Sequence, residues 1–197
     1  LNARNYKKVI EGSNKLLTKI SNNDYLLNLT GMAYQGLSQH NNSIKYFRQA
    51  LKYAPNNLAA MNNLANSLKA IGKLEDSKDL YEKVLKINPN YINAYNNYAN
   101  LKTLVNDYDG AIELYNKAHD IIKGHENVPE TTITGILFSL AVAYQSANKI
   151  NETKNTINKI LSINSSHVGS HKLISSLTKY SDKDKETMKH ISKMEEI

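Results

Sequence analysis

The chain repeats itself every 34 residues, and that period limits the possible folds more than any other feature. A repeat this short cannot bury its own apolar face, so neighbouring copies must stack on one another. Stepping by 34 aligns Gly31, Ala65 and Ala99; Ser43, Ser77 and Ala111; Phe47, Tyr81 and Tyr115; Ala50, Val84 and Ala118; and Pro55 with Pro89.

Each column has a steric reason. Small residues at Gly31, Ala65 and Ala99 let the first helix of a pair approach the second, where Ser43, Ser77 and Ala111 answer them. The rings of Phe47, Tyr81 and Tyr115 then fill the space between one pair and the next. Pro55 and Pro89 fall just past a helical stretch, where a residue without an N–H stops the ladder and fixes the turn.

After the third copy the register slips, and adding eight residues restores it with Ala141, Ala143, Tyr144, Ile157, Ile160 and Leu161 in their columns. The slipped segment, Gly124 to Thr131, holds Gly, Pro and polar residues and is expected to form a longer surface loop. Counting backwards puts Tyr6, Val9, Leu16 and Leu17 in second-helix columns. The expected division is a partial repeat with only a second helix (1–23), repeats at 24–57, 58–91 and 92–123, a loop at 124–133, a fourth repeat at 134–167, and capping helices over 168–197. The last of these is expected from Lys183 to Met194, with Met188, Ile191 and Met194 at helical spacing and a polar outer face.

The order small, aromatic, small, proline over three aligned copies resembles the signature of the tetratricopeptide-repeat (TPR) family. That resemblance implies an all-α fold, a right-handed superhelix (α-solenoid) of antiparallel helix pairs whose concave face binds protein. It also implies a protein-interaction scaffold rather than an enzyme.

Composition supports the same class. Only three prolines occur in 197 residues, and cysteine is absent, so no disulfide, thiolate nucleophile or zinc knuckle is available. No run of about 18 apolar residues suggests a membrane span, and a cytoplasmic setting is the default expectation. The net charge of +7 comes from lysines interleaved with acids, as at Lys78, Asp79, Glu82, Lys83 and Lys86, which is the pattern of a solvated helix face rather than of a nucleic-acid site. No Walker loop, GxGxxG, GxSxG, HExxH or EF-hand pattern occurs, so no catalytic residue and no cofactor are expected. His167 and His171 stand four apart, but no third ligand accompanies them at metal spacing, so no metal site is expected.

Asparagine is the informative excess. Asn62, Asn63 and Asn66 recur 34 residues later as Asn96, Asn97 and Asn100, with several expected on the face turned away from the second helix. An amide offers donor and acceptor together and can hold a peptide backbone. The pattern is similar to the asparagine ladder of O-linked N-acetylglucosamine transferases, which implies a peptide groove. With Leu29 and Ser139 at the flanking positions, the ladder spans two repeats, and an Asn-rich composition explains the same residues equally well. The candidate peptide-binding set is Asn62, Asn63, Asn66, Lys69, Asn96, Asn97, Asn100 and Thr103. The basic clamp of chaperone-cofactor TPR domains is not evident, Lys69 being the one groove-side lysine that can be placed. Lys102 stands in a column with Tyr34, Leu68 and Tyr144 and is expected to lay its stem on apolar surface, or else to meet a ligand.

The tail from Ser165 to Met194, through His171, Lys172, Leu173, Ser175, Thr178, Tyr180 and Met188, resembles the segment that follows the repeats in bacterial TPR-sulfotransferase fusion proteins. That resemblance implies an alternative function, a non-catalytic region that recruits or orients a substrate. Self-association through exposed solenoid ends is a third expectation.

Overall fold

Ten α-helices follow one another in the computed structural model, which describes residues 3–125, 127–177 and 192–193. They are α1 (Ala3–Leu17), α2 (Asp24–Gly36), α3 (His40–Tyr53), α4 (Leu58–Ala70), α5 (Leu74–Ile87), α6 (Ile92–Leu104), α7 (Tyr108–Lys123), α8 (Glu130–Ser146), α9 (Ile150–Ile163) and α10 (Val168–Leu177). No strand occurs among the described residues, and none of their helices is long and apolar enough to cross a membrane. The expected final helix from Lys183 to Met194 lies outside the described residues, apart from 192 and 193, which are helical. The chain divides into two compact units, residues 1–97 and 98–197, with the division inside α6.

One turn recurs within every helix pair. Ser38, Gly72, Asn106 and Asn148 have φ of 57°, 79°, 61° and 58°, the left-handed region. The next residue's N–H then reaches back five residues: Gln39 to the Tyr34 carbonyl, Lys73 to Leu68, Asp107 to Lys102 and Lys149 to Tyr144, at 2.8–2.9 Å. This Schellman closure satisfies carbonyls that the helix end leaves without partners and turns the chain straight into the second helix. Gly and Asn tolerate that conformation; Ser38 is the residue least suited to it.

Side-chain caps start α2 and α4. The Asn23 Oδ1 accepts from the Leu26 N–H at 2.8 Å, and the Asn57 Oδ1 accepts from the Ala60 N–H at 3.0 Å. The helix-terminating Pro55 and Pro89 sit two residues past the ends of α3 and α5.

The eight-residue insertion differs from expectation. The loop expected over 124–133 is shorter, 124–129, because α8 already begins at Glu130. Helix α7 has 16 residues against 14 in α3, α5 and α9, and α8 has 17 against 13 in α2, α4 and α6. The connection itself, 124–129, is two residues longer than those at 54–57, 88–91 and 164–167. Helix α8 starts at Glu130 because Pro129, extended at φ −56° and ψ 135°, is compatible with a helix start, and an acidic first turn suits the positive end of the helix dipole.

In the first unit Phe47 is fully buried and packs with Ile44, Leu64 and Leu68, so its ring joins α3 to α4 of the next pair. A Cβ placed on Gly31 would come within 2.5 Å of that ring, which explains the missing side chain. Ser43 Oγ donates to Ser67 Oγ, and Ser77 Oγ to the Ala65 carbonyl, both at 2.8 Å. The small columns therefore also satisfy buried polar groups. In the second unit Tyr115 occupies the same place, packed with Ala99, Ala111, Ile112, Leu140 and Ala143. Ala141, Ile157 and Ile174 continue that core into α10.

Candidate functional site

The first unit carries a row of amide pairs one repeat apart. Asn63 Nδ2 on α4 donates to Asn28 Oδ1 on α2 at 3.2 Å, and Asn97 Nδ2 on α6 donates to Asn62 Oδ1 on α4 at 3.1 Å. Both pairs are 35 residues apart, so the second bond is the first displaced by one repeat. Two helical turns along, Gln35 Nε2 donates to the Asn63 carbonyl at 3.3 Å and to Ser67 Oγ at 3.0 Å. In the same column Lys69 Nζ reaches the Asn97 carbonyl at 3.5 Å. Each first helix in this unit is thus linked to its successor by an amide pair and by a long side chain on a backbone carbonyl.

Asn28 was missed in the sequence, and its signal was its place 34 residues before Asn62. The ladder therefore reaches three first helices in the first unit, where two repeats were expected. A neutral pair of this kind contributes about 0.5–1.5 kcal/mol. Asn62→Ala or Asn97→Ala should each lower urea-unfolding stability by about that amount, and the double variant should cost less than their sum. Strict additivity would mean that the two amides do not pair.

The other candidates are placed differently. Asn66 and Asn100 were expected among residues turned away from the second helix, and the structure corrects this. Tyr81 O–H donates to Asn66 Oδ1 at 2.6 Å, and Tyr115 O–H donates to Asn100 Oδ1 at 2.8 Å. Burial raises the pKa of both phenols, so each hydroxyl stays a neutral donor that needs an acceptor, and an asparagine 15 residues earlier provides one. Phe47, without a hydroxyl, has Met32 at the corresponding position. Thr103 Oγ1 donates to the Ala99 carbonyl of its own helix at 3.0 Å. Asn62 is 5% exposed, whereas Asn63, Asn96 and Asn97 are half-buried, and Asn96 enters none of these bonds.

Lys69 is half-buried, and burial lowers its pKa. No ion pair among the described residues involves it. Lys102, by contrast, has its ammonium 2.7 Å from Asp107 Oδ2 and 5.7 Å from the Tyr98 ring centroid. Its hydrogen bond, together with one from the Gly110 N–H, holds the Asp107 carboxyl below the usual carboxylate range and fixes it as the cap of α7.

The two histidines have structural partners. His167 Nδ1 accepts from the Ser170 N–H at 3.1 Å, doing for α10 what Asn23 and Asn57 do for α2 and α4. His171 is buried, with Nε2 2.9 Å from the Ser165 carbonyl. No group of three or more His, Cys, Asp or Glu that could hold a metal occurs among the described residues. Burial, helped by His171, lowers the pKa of His167; burial, helped by Lys123 and Lys159 and opposed by Asp120, lowers that of His119. A depressed histidine pKa means the unfolded chain binds the proton more readily. The associated stability is complete above the ordinary value near 6.5 and is lost as pH falls through the lower folded value. His167→Asn keeps an acceptor at the cap that acid cannot remove, and should be more stable than the parent at pH about 5 by about 1 kcal/mol. Equal acid sensitivity in thermal melts would contradict the capping role.

Comparison with known proteins agrees with this architecture. Family models described as tetratricopeptide repeat match residues 25–57 and 56–124. No curated protein sequence matches the chain. Among solved structures, MamA from Desulfovibrio magneticus RS-1 is similar with a TM-score of 0.71 at 14% identity, over 88% of this chain and 93% of that one. The C-terminal part of a TPR repeat-containing protein from Cytophaga hutchinsonii gives 0.72 at 16% identity, over 98% and 74%. Yeast Tom70 gives 0.75 at 19% identity, over 95% of this chain and 38% of its own length. At such identities the likeness concerns the fold alone.

Proposed function

We propose that this chain, which is built of tetratricopeptide repeats, is a protein-interaction module that receives an extended peptide or partner helix on the first-helix face of its first unit. Asn63, Lys69, Asn96 and Asn97 make the contacts. Asn62 holds Asn97 in place, while Asn66 and Asn100 serve their tyrosines and Thr103 its own helix.

The observation that carries this reading is the amide row beside an uncompensated lysine. Each pair uses one donor and one acceptor, which leaves the side-chain Oδ1 atoms of Asn63 and Asn97 for a ligand's N–H groups. Lys69 holds a partly desolvated charge against a single backbone carbonyl at 3.5 Å, which favours a ligand that brings an acceptor or a carboxylate. Peptide recognition led by backbone hydrogen bonds at regular intervals needs such a row.

A photo-crosslinking amino acid at Asn96 tests the site, with the exposed Lys86 on α5 as the control position. A discrete adduct from position 96 that is absent from 86, and that weakens in Lys69→Gln, is expected. Equal adducts at both positions, or none at 96, would refute the assignment. The alternative, a region that orients substrate for a sulfotransferase, rests on the tail resemblance. There His171 is occupied by the Ser165 carbonyl, and Thr178, Tyr180 and Met188 lie outside the described residues.

A further inference from the structure

A different surface of the first unit has charge without compensation. Helix α3 carries Lys45, Arg48 and Lys52 at three- and four-residue spacing, all exposed, and contains no acidic residue. The later second helices differ: α5 contains Glu75, Asp76, Asp79 and Glu82, α7 contains Asp109, Glu113 and Asp120, and α9 contains Glu152. Some of their lysines are paired with these acids, Lys78 with Glu75 at 3.1 Å and Lys117 with Glu113 at 2.7 Å. Lys45, Arg48, Lys52 and Lys73 enter no ion pair among the described residues.

Lys45, Arg48 and Lys73 border a cleft of about 420 Å³, within the range of about 300–1,000 Å³ typical of ligand sites. Its apolar lining is Ile44, Leu68 and Ile71, and its polar lining is Asn41, Lys45, Arg48 and Lys73. The left-handed Gly72 turns α4 into α5 just past the cleft, and Ile71 in its lining is 37% exposed.

We propose that this cleft docks an acidic segment of a partner protein, with one apolar side chain against Ile44, Leu68 and Ile71 and flanking carboxylates on Lys45, Arg48 and Lys73. The guanidinium of Arg48 can take a carboxylate through two parallel hydrogen bonds, and the lysines act as point charges on either side. A phosphate backbone would match the cations but leave the apolar floor unused. A membrane surface, being flat, would meet the rim and not the floor. The site is distinct from the amide row, so it stands or falls independently of the function proposed above.

The test is titration of the full ¹⁵N-labelled chain with a short acetylated peptide in which a central leucine is flanked by glutamates. Amide shifts should concentrate at residues 41–48 and 68–73 and weaken with added salt. Affinity should fall about tenfold when glutamines replace the glutamates, or in Lys45→Gln/Arg48→Gln, and several-fold when glycine replaces the leucine or in Ile71→Ser. Lys83→Gln/Lys86→Gln on α5 should bind as the parent does. Shifts elsewhere, indifference to glutamine or glycine replacement, or tighter binding at the same residues by an oligouridine or by phosphatidylserine vesicles would each overturn the proposal.

Discussion

Phe47→Ala is expected to lower the unfolding free energy by about 3–5 kcal/mol, the largest effect of any single substitution considered. The ring is fully buried and packs on Leu64 and Leu68 of the next pair as well as on Ile44 of its own helix. Truncation therefore opens a cavity at a repeat junction, and in a repeat array the junction carries much of the cooperativity. Urea unfolding followed by circular dichroism measures the loss, and a broadened or biphasic transition would report that the repeats on either side had begun to unfold separately. A loss below about 1 kcal/mol would mean that the junction collapses around the gap.

Gly31→Ala follows from the same contact and has the less obvious sign. Alanine favours a helix interior over glycine by about 1 kcal/mol, and Ala65 and Ala99 occupy the column in other repeats. Against that stands a new Cβ at 2.5, 2.7 and 3.0 Å from three atoms of the Phe47 ring, which has no free space to move into. Overpacking of this kind costs about 1–3 kcal/mol, so a net destabilisation is expected. In a Phe47→Ala background the clash disappears and the same substitution should stabilise. A sign reversal in that cycle is the decisive observation; a stabilising Gly31→Ala in the parent would show that the ring moves aside.

The fold was legible because the steric demands of stacking repeat with the sequence: the glycine–alanine column, the aromatic column and the two prolines each report one contact made several times. The loop after α7 ends four residues earlier than expected because Pro129, which marks a turn, also suits the start of a helix. The candidate site was only partly legible. An asparagine on a helix gives no indication of its partner, and Asn66 and Asn100 become interpretable only with the tyrosines 15 residues later. Asn28 escaped because the comparison was made through Leu29, one position along. His167 and His171 have the spacing of ligands on one helix, but His167 precedes α10 as its cap. Asn28, Asn62, Asn63, Asn66, Asn97 and Asn100 each have a bonded partner.

The amide pairs span 35 residues and the carbonyl links 28, so both depend on an undisturbed count of residues between neighbouring first helices. A single codon gained or lost inside α4, between Asn63 and Lys69, would turn one part of that helix against the other by about 100° and break the links on one side of it. Unequal crossing-over in phase removes or adds a whole repeat and leaves the links intact. Steps of 34 codons therefore preserve the links, whereas a smaller step inside one of these first helices does not.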